Sequence, residues 1–291
     1  MDNIKHYKNN FSLVKSIYNS SLIKATRKIK IFEAVLQSLL IRTRKRKALL
    51  FLKDNNLYPY DRNLIINDYI YSIKITYRSV LQVVNIESVV RGISQRNIHG
   101  AFVEAGTFTG GASAFGLLSL LRNFKDKKLP DYWGFDSFEG MPSPTVNDGI
   151  NAFEWRYPNF RKIDVKIKKS KLVGSDINLA DYNTCLHYLQ NTSYPKKKIN
   201  LIKGWFQHSL KVNKKNIGKI ALLRIDGDFY DSTLCVLDEL YGNVSKGGVI
   251  ILDDYGNFEG SRKATHFFFK SKKINPFLHY VDHSIRYFIK P

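Results

Sequence analysis

Cysteine is almost absent from this 291-residue chain; the two present, Cys185 and Cys235, form no CxxC spacing. A disulfide framework and a cysteine-based zinc site are thereby excluded, and a reducing compartment is expected. No run of about 18 apolar residues occurs, so no transmembrane helix is expected. The opening Met1-Asp2-Asn3 lacks the uninterrupted apolar core of a signal peptide. A cytoplasmic protein is the expectation. Internal repeats and low-complexity linkers are missing as well, while 44% hydrophobic residues suffice for a substantial core.

Acidic residues are scarce. Lys and Arg number 46 against 25 Asp and Glu, giving a formal charge of +21 and a pI near 9.8. The excess is concentrated in residues 1–60, which carry 13 basic and 3 acidic side chains. The densest run is Arg42-Thr43-Arg44-Lys45-Arg46-Lys47, flanked by Leu39, Leu40, Ile41, Leu49, Leu50 and Leu52. Such a segment reads as a solvated basic face, with peripheral contact to an anionic membrane or a polyanionic substrate as the sharper alternative.

Residues 10–55 show helical spacing through Ile31, Ala34, Val35, Ser38 and Leu39, and Asn55-Asn56 and Pro59 punctuate their end. A second helical stretch covers about 76–95. We divide the chain into a basic helical extension, 1–73, and a main domain, 74–291. From residue 101 strands alternate with helices: 101–104, 132–136, 199–203, 220–226 and 248–253, with two last strands near 278–281 and 285–289. The helix after 226 is expected to be capped by Asp231 or Ser232. This order predicts an α/β fold, a mainly parallel, doubly wound, Rossmann-like sheet with helices on both faces. Residues 140–175, with Pro142, Pro144, Trp155, Tyr157 and Pro158, look too irregular for a core element and read as a lid.

Ligands of such sheets sit at the carboxyl ends of the strands. The first strand ends in Glu104-Ala105-Gly106-Thr107-Phe108-Thr109-Gly110-Gly111, whose spacing is not GxGxxG. An acid two positions before the first glycine suits a cationic sulfonium amino acid better than a pyrophosphate. Asp136, followed by Ser137, ends the second strand, where a carboxylate commonly accepts ribose hydroxyls. Asp226-Gly227-Asp228 and Asp253-Asp254 close the fourth and fifth. Like charges crowded on one sheet edge are costly without a cation, and an all-oxygen set favours Mg²⁺. Asp226, Asp253 and Asp254 are the expected ligands, with Asp226 also the expected general base; Asp228 is assigned the lesser role of a helix cap.

Five ordered blocks carry a resemblance: Phe102–Gly106, Phe135–Pro142, Lys203–Phe206, Leu223–Thr233 and Gly247–Tyr255. Residues from about 74 to 290 resemble the macrocin O-methyltransferase (TylF-type) family of sugar O-methyltransferases. The resemblance implies a class I methyltransferase fold with a seven-stranded sheet. It also implies S-adenosylmethionine as donor, Mg²⁺-assisted methylation of a sugar hydroxyl, and metal ligation by Asp226, Asp253 and Asp254. Donor contacts are expected from Glu104, Gly106, Thr107, Gly110, Ser113, Asp136, Ser137, Trp205 and Asp226. The chain departs from the family's pattern at Ala105, Phe108 and Thr109 in the glycine loop, at Gln207-His208, and at His266. The basic first 60 residues lie largely outside the match. His208 reads mainly as a surface histidine, and Arg262 and Lys263 face either an anionic substrate or solvent.

The expected partner is a small-molecule or glycan acceptor, with anionic character favoured by charge sign alone. Nucleic acid is disfavoured, because no basic stripe interleaved with aromatics accompanies the strand ends. A methyltransferase acting on RNA and a non-catalytic scaffold of the same fold are the competing readings. A homo-oligomer is left open.

Overall fold

The computed structural model describes residues 79–125, 127–157 and 171–291, with 38, 39, 42, 43, 46, 67–69, 71 and 72. The chain divides by contacts into Met1–Ile66 and Asn67–Pro291. In the first unit, Ser38, Leu39, Arg42, Thr43 and Arg46 are helical and exposed, and Thr43 Oγ1 donates to the Leu39 carbonyl at 2.9 Å. The rest of the helical reading of 10–55, half of the basic run, and residues 158–170 of the expected lid lie outside the described residues. In the second unit Tyr69 and Ser72 are already buried, ahead of the boundary expected at 73. No described helix is long and apolar enough to cross a membrane.

The second unit is a seven-stranded sheet in the order β3-β2-β1-β4-β5-β7-β6. Its strands are β1 (Ala101–Ala105), β2 (Tyr132–Asp136), β3 (Ile199–Lys203), β4 (Ile220–Ile225), β5 (Val244–Leu252), β6 (His279–Tyr280) and β7 (Arg286–Ile289). The first five run parallel, and β7 joins β5 and β6 antiparallel. The described helices are α1 (Val80–Gln95), α2 (Gly111–Asn123), α3 (Gly149–Arg156), α4 (Tyr182–Gln190), α5 (Phe206–Ile217), α6 (Tyr230–Leu240) and α7 (Glu259–Lys272). The strand order reverses between β1 and β4, which makes their carboxyl ends the switch point where ligands bind.

Strand periodicity decides which side chains meet which layer. Ala101, Val103, Ala105, Leu223, Ile225, Ile250 and Leu252 share one core with Val236 and Leu237 of α6 and Phe268 of α7. The intervening residues, Phe102 and Glu104 on β1 and Arg224 on β4, face the other layer; there the Phe102 ring lies against Gly116 of α2. Helix α1 is tied to α2 by buried Glu87, which accepts from Ser119 Oγ (2.6 Å), Arg122 Nη2 (2.6 Å) and Asn123 Nδ2 (3.0 Å). A buried carboxylate is tolerated because its partners replace the lost water.

Two elements differ from expectation. α6 starts at Tyr230, with Phe229 rather than Asp231 or Ser232 at the N-cap and no side-chain cap of its own. The missing acceptor comes from the insertion: the Tyr230 N–H donates to Asp148 Oδ1 at 2.6 Å. Residues 140–157 are also more ordered than an irregular excursion, with a 3-10 turn (Val146–Asp148) followed by α3. Met141 and Ala152 are buried with Phe229, and Trp155 and Phe258 pack on them. Asp148 further accepts from the Thr145 N–H (2.6 Å) and hydroxyl (2.9 Å), so one carboxylate pins the insertion to the N-terminus of α6. A negative group there also complements the helix dipole. Asp148→Ala strands one buried and one part-buried N–H group and is expected to cost about 2–4 kcal/mol. Asp148→Asn, which keeps one acceptor, is expected to cost about half as much. Equilibrium unfolding of both variants checks the order.

Candidate functional site

The ends of β1, β2, β4 and β5 open into a cavity of about 730 Å³. Gly106, Phe108, Asp136, Ser137 and Trp205 line one part of it, and Asp226, Asp228, Asp253 and Asp254 form an acidic wall. Asn151, Ala152 and Trp155 from α3, Asn257, Phe258 and Arg262 around the start of α7, Gln207 of α5 and Gln82 of α1 also line it.

Three loops at these strand ends are held in the same unusual way. Phe108, Phe138 and Asp228 have positive φ (52°, 52° and 55°), a conformation that costs a non-glycine residue about 1–2 kcal/mol and concentrates at functional sites. In each case the strained N–H is bound by a carboxylate of the site. Asp136 Oδ2 accepts from Phe108 at 2.7 Å, Asp136 Oδ1 from Phe138 at 2.8 Å, and Asp254 Oδ2 from Asp228 at 3.0 Å. Asp136 thus organises the turns after β1 and β2. Burial raises its carboxyl above the ordinary range despite those two hydrogen bonds, with Asp226 adding to the effect.

Gly106, Asp136, Ser137, Trp205, Asp226, Asp253 and Asp254 all reach the cavity. Ser137 Oγ donates to the Gly140 carbonyl at 3.0 Å, which closes the turn below Asp136. The others of the expected donor set stand behind this wall. Glu104 is fully buried, accepting from Ser113 Oγ and ion-paired with Arg224 Nη1. Thr107 is buried, its hydroxyl 3.4 Å from the Phe135 carbonyl, and Gly110, with φ 87°, is the N-cap of α2. Among the remaining candidates, His208 is exposed on α5, Lys263 pairs with Glu259 at 2.7 Å, and His266 Nε2 lies 2.7 Å from the Tyr255 hydroxyl. Arg262 lines the cavity.

Within the acidic wall, Asp226, Asp228 and Asp254 each offer an oxygen within 4.8 Å of the others. Asp228, set aside in the sequence reading as a cap, therefore stands in the cluster. Asp253 is turned toward Arg224, whose Nη2 lies 2.5 Å from Asp253 Oδ1, while Nη1 lies 3.0 Å from Asp226 Oδ2. Burial pushes the Asp254 carboxyl well above the ordinary range, and Asp228, Asp226 and Asp253 push it in the same direction. The donor set fits a hard divalent cation: clustered carboxylate oxygens, mutual repulsion and shelter from water all favour one.

Arg224 is the principal residue the sequence reading missed. A charged residue inside the apolar run Ile220–Ile225 was the available signal, because a buried guanidinium requires carboxylate partners. Counting by twos from it would have placed Asp226 beside it.

This sheet order, with a glycine turn after β1, a carboxylate ending β2 and acids at β4 and β5, defines a class I methyltransferase fold. A macrocin-O-methyltransferase (TylF) family model matches residues 10–290, and the chain belongs to that family. The match begins at residue 10, so it takes in most of the basic segment that the sequence resemblance left outside. The chain is 31% identical over 171 residues to demethyldecarbamoylnovobiocin O-methyltransferase of Streptomyces niveus, covering 59% of this chain and 58% of the relative. A second relative, from Streptomyces olivaceus, is 8-demethyl-8-(2,3-dimethoxy-alpha-L-rhamnosyl)-tetracenomycin-C 4'-O-methyltransferase, 28% identical over 183 residues and matched over 62% of each chain. The aligned region thus spans about three fifths of the length of these relatives. Among solved structures, the O-methyltransferase NovP superposes with a TM-score of 0.61 at 25% identity, covering 74% of this chain and 82% of that one. The calicheamicin methyltransferase CalS11 shares the fold, with a TM-score of 0.59 at 13% identity over 85% of this chain and 91% of that one.

Proposed function

We propose that this protein transfers the methyl group of S-adenosylmethionine to a sugar hydroxyl, with a divalent cation, Mg²⁺ by its ligand chemistry, in the acidic wall. The observation that carries the reading is the place of Asp226. Its backbone packs on Gly106 of the donor loop while its side chain belongs to the carboxylate cluster. Donor and acceptor chemistry therefore meet at one residue.

The sulfonium methyl is already electrophilic, so the barrier lies in the acceptor, a weak nucleophile until its proton leaves. Asp226 takes that proton as the hydroxyl oxygen attacks the methyl carbon, and the carbon–sulfur bond breaks to leave a neutral thioether. Asp226 and Asp254 are the proposed cation ligands, with Asp228 in the same cluster and Asp253, held by Arg224, beside them in the wall; a bound cation would lower the hydroxyl's pKa and offset the developing alkoxide charge. Asp136 orients the donor's ribose, and Gly106 lines the cavity beside it. Across the cavity, Trp155 offers an aromatic face. The side-chain amides of Asn151, Gln207 and Asn257 belong to the lining, and each can both donate to and accept from a hydroxyl. The rhamnosyl group in the name of the Streptomyces olivaceus relative supports the acceptor class; a nucleotide sugar, a glycan and a glycosylated metabolite are the forms it could take.

Calorimetric titration with S-adenosylmethionine, with and without Mg²⁺, tests the reading. Donor binding in the micromolar range is expected, with transfer to sugar acceptors abolished by EDTA and restored by added Mg²⁺. No donor binding would overturn the methyltransferase reading. Transfer indifferent to EDTA would remove the cation while leaving the rest.

A further inference from the structure

The buried charge network behind the acidic wall carries an inference that deepens the cation site just described and rests on it. We propose that Arg224 is the positioning residue of that wall: its guanidinium sets the rotation of Asp226 and Asp253 and so prepares the cation site before any cation arrives.

Arg224 is 1% exposed and does not line the cavity, so it acts only through other groups. Its environment is built for three carboxylates. Glu104 stands opposite it in the β1–β4 register, and Asp226 and Asp253 follow on the same face at the ends of β4 and β5. The planar fork contacts all three at once: Nη1 meets Glu104 and, at 3.0 Å, Asp226 Oδ2; Nη2 meets Asp253 Oδ1 at 2.5 Å. Engaging one named oxygen of each aspartate fixes the plane of each carboxylate. Glu104 is in turn held by the hydroxyl of Ser113, so the fork is tied to α2 as well as to β1.

The geometry also settles why an arginine is needed. A lysine ammonium carries the same charge but is a single compact donor on a flexible stem, and it cannot span three carboxylates on three strands. Burial opposes the Arg224 charge, yet Asp253, Asp226 and Glu104 together outweigh it, so the guanidinium stays ionised throughout. Partners that orient metal ligands without touching the metal commonly change metal affinity by about 10–100-fold when lost.

A countercharge that merely allowed the acids to be buried would affect stability and leave cation affinity alone in whatever protein folds. The positioning role predicts more. Full-length Arg224→Lys is expected to melt lower than wild type and, while folded at 20 °C, to bind Mg²⁺ about tenfold or more weakly by calorimetry with MgCl₂. Its S-adenosylmethionine affinity without Mg²⁺ is expected to stay within about threefold, since Gly106, Asp136 and Trp205 make no contact with Arg224. Glu104→Gln provides the second route if the lysine variant does not fold. It keeps Arg224 but loosens its β1 anchor, and Mg²⁺ affinity is expected to fall by several-fold. Wild-type Mg²⁺ affinity in either folded variant overturns the positioning role. A wild-type protein that binds S-adenosylmethionine but no Mg²⁺ overturns both this role and the cation site, while leaving methyl transfer itself standing.

Discussion

Asp226→Asn is expected to lower turnover by about 10³-fold or more while changing S-adenosylmethionine affinity by no more than about threefold. The substitution is nearly isosteric, so the β4 backbone that packs on Gly106 is undisturbed, and the amide oxygen still accepts from Arg224. What it removes is a base and one negative charge of the wall. Losing a general base alone costs about 10²–10⁴-fold, and weakening a cation ligand adds to that. The loss should fall on kcat, with single-turnover methyl transfer slowed to the same degree. Donor affinity, read by calorimetry, reports whether the site is still assembled. A variant that turns over within about tenfold of wild type would place the base elsewhere, with Asp228 and Asp254 the neighbouring candidates.

Much of this site was legible because strands announce themselves and glycines and acids mark their ends. The apolar runs 101–105, 132–136, 220–225 and the end of β5 are largely buried, as central parallel strands must be, while 199–203 at the sheet edge is only part-buried, and each expected strand is present. The acids follow those runs directly. What the sequence hides is side-chain direction beyond the last strand residue. Asp228 sits in a left-handed turn that swings its carboxylate toward Asp254, and nothing in Asp-Gly-Asp distinguishes that from a helix cap. Asp253 and Glu104 are claimed by a guanidinium that the linear pattern presents as an interruption in a strand.

Tertiary rescue explains the other differences. α6 has no capping side chain at its own N-terminus, so local rules shifted its start to the nearest Asp or Ser. The true acceptor is Asp148, 82 positions upstream. The insertion looked irregular for the same reason: Met141 and Ala152 become core only once Phe229 and Phe258 are beside them. Long-range partners are invisible to periodicity, and the insertion is made of them.

Gly106→Ala is expected to destabilise the fold by about 3–5 kcal/mol and to weaken S-adenosylmethionine binding by at least tenfold. The residue has φ 95°, which disfavours any side chain, but the larger cost is space. A Cβ at this position would lie 1.8 Å from the Asp226 carbonyl oxygen and 3.0 Å from the Asp226 Cβ. Neither side can retreat cheaply. The Gly106 N–H donates to the Phe135 carbonyl at 2.8 Å, and the Asp226 N–H to the Ala105 carbonyl at 2.8 Å, so both backbones are pinned by the sheet. Relief requires the ends of β1 and β4 to part by more than 1 Å at the switch point, where the donor loop and the proposed base meet. At about 2–4 °C per kcal/mol for a unit of this size, the melting temperature should fall by about 10 °C. Gly242→Ala is the matched control: a Cβ there meets nothing within 4 Å, and its melting temperature should stay within about 2 °C of wild type. A Gly106→Ala protein as stable as that control, with normal donor binding, would mean that β1 and β4 yield at their ends. The close packing of Gly106 on Asp226 would then lose its claim to join donor and acceptor chemistry.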